Sequence, residues 1–131
     1  MNDYQAPAKP GLTDAELATR PTVYAADALK GRVVVVSGGA GGLGRAIAWL
    51  YARLGAHVVV VGRNQAKLDA LVAGLAGRNL KASPHVADIR EPEAVNALFD
   101  TVWDAHGQID SLINSAGGQF PQAAIDFSVK G

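Results

Sequence analysis

Val33-Val34-Val35-Val36-Ser37-Gly38-Gly39-Ala40-Gly41-Gly42-Leu43-Gly44-Arg45-Ala46-Ile47-Ala48 decides the fold of this chain. An unbroken β-branched run leads into a glycine-rich turn, and a helical pattern follows at once. A strand apolar on both sides belongs in a parallel sheet covered by helices on both faces. Glycines let the backbone turn sharply and approach a ligand closely, because no Cβ intervenes. The helix then starts with free N–H groups and the positive end of its dipole aimed at the turn. Together these parts predict a pyrophosphate seat.

Two motifs overlap here. Gly39-x-Gly41-x-x-Gly44 fits G-x-G-x-x-G, the general dinucleotide fingerprint. Ser37-Gly38-x-x-x-Gly42-x-Gly44 fits the wider-spaced [T/S]-G-x-x-x-G-x-G. With 15 glycines in the chain, the first pattern alone is weak, and its place between a strand and a helix strengthens it. The plain alternative is a tight turn with no ligand. A P-loop would need Lys and then Ser or Thr after its last glycine, where Arg45 and Ala46 stand. A nucleophile elbow, G-x-S-x-G, would need glycine where Val35 stands. A kinase glycine loop would need a downstream His-Arg-Asp, and the sequence has none.

At 131 residues the chain is one domain at most. Apolar residues make up 49% and aromatics only 6%, with Ala, Val, Leu and Gly dominant. That palette suits helices lying close on a sheet. The formal net charge is zero, which gives no pull toward nucleic acid or an anionic membrane. There are no cysteines, which excludes disulfides and thiolate metal sites. His57, His85 and His106 lack ligand spacing. No apolar run has signal-peptide length or could span a bilayer. A cytoplasmic protein with no metal, no membrane and no nucleic-acid partner is expected.

Residues 1–30 read as an N-terminal extension holding Pro7, Pro10, Gly11 and Pro21. Thr13 could cap one or two helical turns, but a flexible arm is the favoured expectation. The other reading is an arm packed on a neighbouring subunit. Leu29 is expected under the sheet. The first strand is expected over 32–37 and the first helix over 42–54. Leu43, Ile47, Leu50 and Leu54 would form that helix's inner face. Gly55 sits at its C′ position. His57 to Gly62 predicts the second strand, apolar on both faces. Asn64 would cap a helix to about residue 76, with Leu68, Leu71, Val72 and Leu75 inward, while Lys67 and Asp69 look solvated. A third strand is expected over 80–87, at a sheet edge because Pro84 cannot donate to the ladder. Pro92 would open a helix to about residue 106, with Val95, Leu98, Phe99 and Val102 inward. Ser111 to Asn114 would be the fourth strand, and another helix is expected to start near Ala123.

Alternating strands and helices in this order predict an α/β fold, a doubly wound parallel (Rossmann) sheet of spatial order 3-2-1-4 over residues 31–131. Its crevice lies at the carboxyl ends of strands one and four. Four notable places fall at strand ends: Ser37 to Gly44, Gly62-Arg63, Asp88, and Asn114 to Gly117. An NAD site commonly has Asp or Glu after strand two for the ribose hydroxyls. Here Gly62-Arg63-Asn64 stands there. A guanidinium attracts a 2′-phosphate that a carboxylate would repel, so NADP(H) is the expected cofactor and NAD the alternative. Otherwise Arg63 is a solvated loop residue. Gly41 stands where a second basic residue would have strengthened the case. Asp88 is either a turn residue before a helix or a carboxylate accepting the adenine amine. Asn114-Ser115-Ala116-Gly117 is either a plain turn or a small-residue passage for the cofactor.

These residues resemble the short-chain dehydrogenase/reductase superfamily. Its pieces T-G-x-x-x-G-x-G, D-[V/I/L] and N-N-A-G match Ser37 to Gly44, Asp88-Ile89 and Asn114-Ser115-Ala116-Gly117, with Ser for Thr at 37 and Ser for Asn at 115. The glycine turn and Ala116-Gly117-Gly118-Gln119-Phe120-Pro121 are more similar to the 2,4-dienoyl-/trans-2-enoyl-CoA reductase branch than to the acyl-carrier-protein reductases. The resemblance implies hydride transfer between NAD(P)H and a carbonyl, alcohol or enoyl group. It assigns cofactor binding to Ser37, Gly38, Gly39, Gly41, Gly42, Leu43, Gly44, Arg63, Asn64, Asp88, Ile89, Asn114, Ala116 and Gly117. It also implies a catalytic Ser and Tyr-x-x-x-Lys, and a homo-oligomer.

That catalytic set is not found: Ala8, Ala28 and Gly55 stand four residues after Tyr4, Tyr24 and Tyr51. No catalytic residue is carried over. The chain is therefore expected to be the cofactor-binding half of a longer enzyme, its sheet incomplete and its fourth strand an open edge prone to association. The competing expectation is a non-catalytic dinucleotide-binding module.

Overall fold

The computed structural model describes residues 11–117. The expected helix near Ala123 and the stretch from Gly118 lie outside them. Eight elements follow in chain order: α1 (Asp14–Thr19), β1 (Val33–Ser37), α2 (Gly42–Arg53), β2 (His57–Gly62), α3 (Gln65–Ala76), β3 (Ala82–Val86), α4 (Pro92–His106) and β4 (Ser111–Asn114). The strands form one parallel sheet in the order β3-β2-β1-β4. This is the doubly wound Rossmann arrangement expected from the sequence.

The valines of β1 and β2 explain the layering. Alternate side chains point to opposite faces. Val34, Val36, Val58 and Val60 pack with Ala48, Trp49 and Ala52 of α2 and Leu68, Leu71 and Leu75 of α3. Val33, Val35, Val59 and Val61 pack with Leu98 and Val102 of α4. None of the eight is more than 5% exposed. Burying one valine stabilises by about 1.5–3 kcal/mol, so this double layer holds the sheet together. β3 is an edge strand, and Pro84 sits in it opposite Val60, where its missing N–H matters least. Among the described residues β4 pairs only with β1.

The inner face of α2 differs from the expected one. Leu43 is 78% exposed and Ile47 and Leu50 are only half-buried, while Leu54 is buried as expected, at 4%. The buried stripe is Gly44, Ala48, Trp49 and Ala52. The cause is at the helix start, where a Cβ on Gly44 would overlap the Gly38 carbonyl oxygen. That close approach fixes the rotation of the helix, and the small residues one and two turns on then face the sheet.

The flexible arm expected before β1 contains a helix, α1, packed on its own chain. Thr13 and Glu16 form a reciprocal capping box. Leu17 is buried in the core under α2. Asp14 pairs with Arg45 and accepts a 2.9 Å bond from Trp49 Nε1. Arg53 donates to the carbonyls of Leu17 and Arg20 at 2.9 and 2.8 Å. Leu29 packs against the core as expected.

Candidate functional site

The ladder register sets the site. Ser37 stands opposite Val61 on one side and Asn114 on the other, while Gly62 stands opposite Val86. The carboxyl ends of all four strands are therefore level. The turns that follow them enclose a cleft of about 730 Å³, within the range of small-molecule and cofactor sites. It is lined by Gly38, Gly41, Gly42 and Leu43 after β1, by Gly62 and Arg63 after β2, by Ala87 to Arg90 after β3, and by Ser115 to Gly117 after β4.

The glycine turn divides into two parts. Gly38 and Gly39 spend their amides on the Val61 carbonyl, at 2.9 and 3.2 Å, which ties the turn to β2. Gly38 has φ +70, and a Cβ there would stand 2.7 Å from the Ala116 nitrogen. Gly41 and Gly42 have open space where a Cβ would go. They begin α2, whose N-terminus has no side-chain cap. Its first amides have no intrahelical partner, and the helix dipole adds positive potential there. An uncapped helix start in front of open space, with no carboxylate in the turn, fits a phosphate group.

The other expected residues fall in three groups. Leu43, Arg63, Asp88, Ile89, Ala116 and Gly117 line the cleft. Asn64 is the N-cap of α3, accepting from the Lys67 amide at 3.1 Å, and it lines a second, shallower concavity with Arg63 and Lys67. Ser37, Gly39, Gly44 and Asn114 lie behind the cleft wall. The Ser37 hydroxyl is buried and donates to the Ile113 carbonyl at 3.4 Å. Asn114 is exposed on the ladder, one residue before the lining turn.

The Arg63 guanidinium makes no hydrogen bond or ion pair among the described residues and is exposed at the cleft rim. Asp88 is bound. Its carboxylate accepts from the backbone and guanidinium of Arg90. Those bonds, with the more distant charge of Arg63, hold its carboxyl far below the usual carboxylate range. Among the charged lining residues, sequence reasoning passed over Arg90 and read Lys67, which lines the second concavity, only as solvated. The signals were an Asp two residues before an Arg at a strand end, and a cation in the first turn after a capping Asn.

No helix among the described residues is long and apolar enough to cross a membrane. A family model described as short chain dehydrogenase matches residues 32–130. A peroxisomal 2,4-dienoyl-CoA reductase of Rattus norvegicus is 34% identical over 109 residues, covering 81% of this chain and 37% of that protein. The structure of a citronellol catabolism dehydrogenase of Pseudomonas aeruginosa PAO1 superposes with a TM-score of 0.77 at 36% identity, covering 84% of this chain and 45% of that one. A metagenomic short-chain oxidoreductase in complex with NADP gives 0.71 at 33% identity, covering 79% and 47%. The chain thus spans less than half the length of these proteins.

Proposed function

The chain belongs to the short-chain dehydrogenase/reductase family, and from that premise we propose that it carries the cofactor site of an NADP(H)-dependent oxidoreductase. When bound, the nicotinamide would give or take a hydride at a carbonyl, alcohol or enoyl carbon. The start of α2 would hold the pyrophosphate through the amides at Gly41, Gly42 and Leu43. Asp88 and Ile89 would take the adenine end, and Ala116 and Gly117 would leave room across β4. No residue of the chain is given the proton-transfer role.

The observation that carries the choice of NADP(H) is Arg63, an exposed guanidinium at the rim that makes no hydrogen bond or ion pair among the described residues. Lys67 shares the second concavity with it, so two cations flank the place after β2. The NADP complex of a related oxidoreductase supports the same reading. NAD is the alternative cofactor. Similarity to a 2,4-dienoyl-CoA reductase supports an enoyl thioester among the substrate classes. A purely binding module has less behind it, since the matching proteins are oxidoreductases. Self-association is also proposed, supported by Trp103 and Leu112, which are 58% and 47% exposed.

Calorimetry with NADP⁺ and NAD⁺ on the chain and its Arg63→Ala variant tests the reading. A hydrogen bond to a charged group contributes about 1.5–3 kcal/mol, so NADP⁺ should bind roughly ten- to a hundredfold better and lose that margin in the variant. Equal binding of both cofactors by the unaltered chain would refute the selector role.

A further inference from the structure

Asp14 lies outside residues 32–130, the stretch that the family model matches, yet it holds the helix that begins the phosphate seat. Its Oδ1 accepts from Arg45 Nη1 and, at 2.9 Å, from Trp49 Nε1. Arg45 and Trp49 stand one turn apart on α2. Arg45 Nη2 also donates to the Leu12 carbonyl. We propose that Asp14 is a positioning residue for dinucleotide binding: its carboxylate fixes the first turn of α2, and with it the amides that face the pyrophosphate. This rests on the cofactor reading above.

The first turn of α2 is a weak helix start by composition. Gly42 and Gly44 are poor helix formers. The N-cap, Gly41, has no side chain to bond the free amides, and no acidic residue stands in the turn. Arg45 follows, a cation near the positive end of the dipole, where a cation is unfavourable. Asp14 supplies from α1 the carboxylate that this turn lacks. It neutralises Arg45 and ties it to Trp49, which is 2% exposed and packed with the valines of β1 and β2. The Thr13–Glu16 capping box in turn fixes the start of α1, where Asp14 stands.

Two rival roles predict different outcomes. If Asp14 withheld Arg45 from the pyrophosphate, freeing the guanidinium would tighten binding. Geometry disfavours this. Gly42 and Leu43 line the cleft and Arg45 does not, and the Arg45 guanidinium is turned onto Asp14 and the Leu12 carbonyl. If Asp14 only held α1 in place, its loss would lower the melting temperature and leave dinucleotide affinity alone.

The test is calorimetry on the full chain with NADP⁺ and NAD⁺, in a double-mutant cycle of Asp14→Asn, Arg45→Gln and the two together. Asparagine keeps an acceptor for Trp49 and removes the charge. Each single change should weaken both dinucleotides about two- to fivefold, the size of a charge effect at a helix start. The NADP⁺/NAD⁺ ratio should stay unchanged, because both carry the same pyrophosphate. The double variant should bind no more weakly than either single one, since each removes the same tie. Unchanged or tighter binding in Asp14→Asn would overturn the proposal. So would additive losses, which would mean that the two residues act separately, or a loss confined to NADP⁺. If circular dichroism shows Asp14→Asn unfolded, Leu17→Ala decides. It loosens α1 while leaving Asp14 and Arg45 intact, so it should weaken both dinucleotides, and unchanged or tighter binding in it would also overturn the proposal. If the unaltered chain binds no dinucleotide, the cofactor reading fails and the proposal with it, a result distinct from binding that ignores Asp14.

Discussion

A Cβ on Gly38 would stand 2.7 Å from the Ala116 nitrogen and 2.8 Å from the Ser115 carbonyl carbon, so the turns after β1 and β4 meet backbone to backbone. Neither side has a flexible side chain that could yield. Gly38 also has φ +70, where an L residue is strained.

Gly38→Ala is therefore expected to destabilise by about 2–4 kcal/mol, combining the left-handed penalty with overpacking. It should also weaken dinucleotide binding by moving β4's turn. Gly117→Ala is the control, since nothing lies within 4 Å of its Cβ position. Urea denaturation of both variants checks the difference, and equal midpoints would refute the contact.

The same contact explains what could be read from the sequence. Uninterrupted valine runs, glycine after β1 and helix periods of three and four gave the strand order and the cleft's position, because burial on both faces leaves little choice of layer. The rotation of α2 was hidden. Leu43, Ile47, Leu50 and Leu54 have the stronger apolar period, but the Gly44–Gly38 approach overrides it at the first three, and only Leu54 is buried. The Asp88–Arg90 chelate was hidden for another reason. Residues two apart in sequence meet only where the backbone turns, and although Asp88 reads as a turn residue, residue type alone does not direct the Arg90 side chain back onto it. α1 was underrated because its stability comes from Asp14, Arg45, Trp49 and Arg53 together, four residues spread over two elements.

Leu43 supplies the next prediction. It lines the cleft and is 78% exposed, so Leu43→Ala should change stability by less than about 0.5 kcal/mol while weakening dinucleotide affinity several-fold. Ala48, fully buried on the opposite face, should behave in reverse. Ala48→Leu should cost about 1–3 kcal/mol through overpacking. Thermal melts beside binding curves separate the two; a large stability loss in Leu43→Ala would contradict the observed rotation of α2.

Asp14 joins α1 to α2 through Arg45 and Trp49. Asp14→Ala leaves the Trp49 Nε1 without an acceptor beside the core. An unsatisfied buried donor costs about 1–3 kcal/mol. The variant should melt lower, show a changed Trp49 emission, and be cleaved faster by protease between residues 14 and 30. Unchanged proteolysis would mean that Leu17 burial alone holds α1 in place.

The last prediction concerns acid. His57 lies 4.3 Å, centroid to centroid, from His106, and its Nε2 lies 3.0 Å from Ser83 Oγ. Burial, then the charges of His106 and Lys81, push the His57 pKa below its ordinary value of 6.5. The unfolded chain therefore binds this proton more readily than the folded one. Between the folded pKa and 6.5, stability must fall as pH falls, and above that window His57 contributes no pH dependence. Asp110 acts lower down. The Val33 amide and Arg32 hold its pKa below the ordinary 3.8, so its stabilisation is present above 3.8 and lost as pH drops through the folded value. Melting temperatures from pH 8 to pH 3 should thus show a first decline starting near 6.5 and a second below 4. His106→Gln removes one of the two like charges, so it should shrink the first decline and leave the second untouched. A first decline of the same size in that variant would assign it to another group.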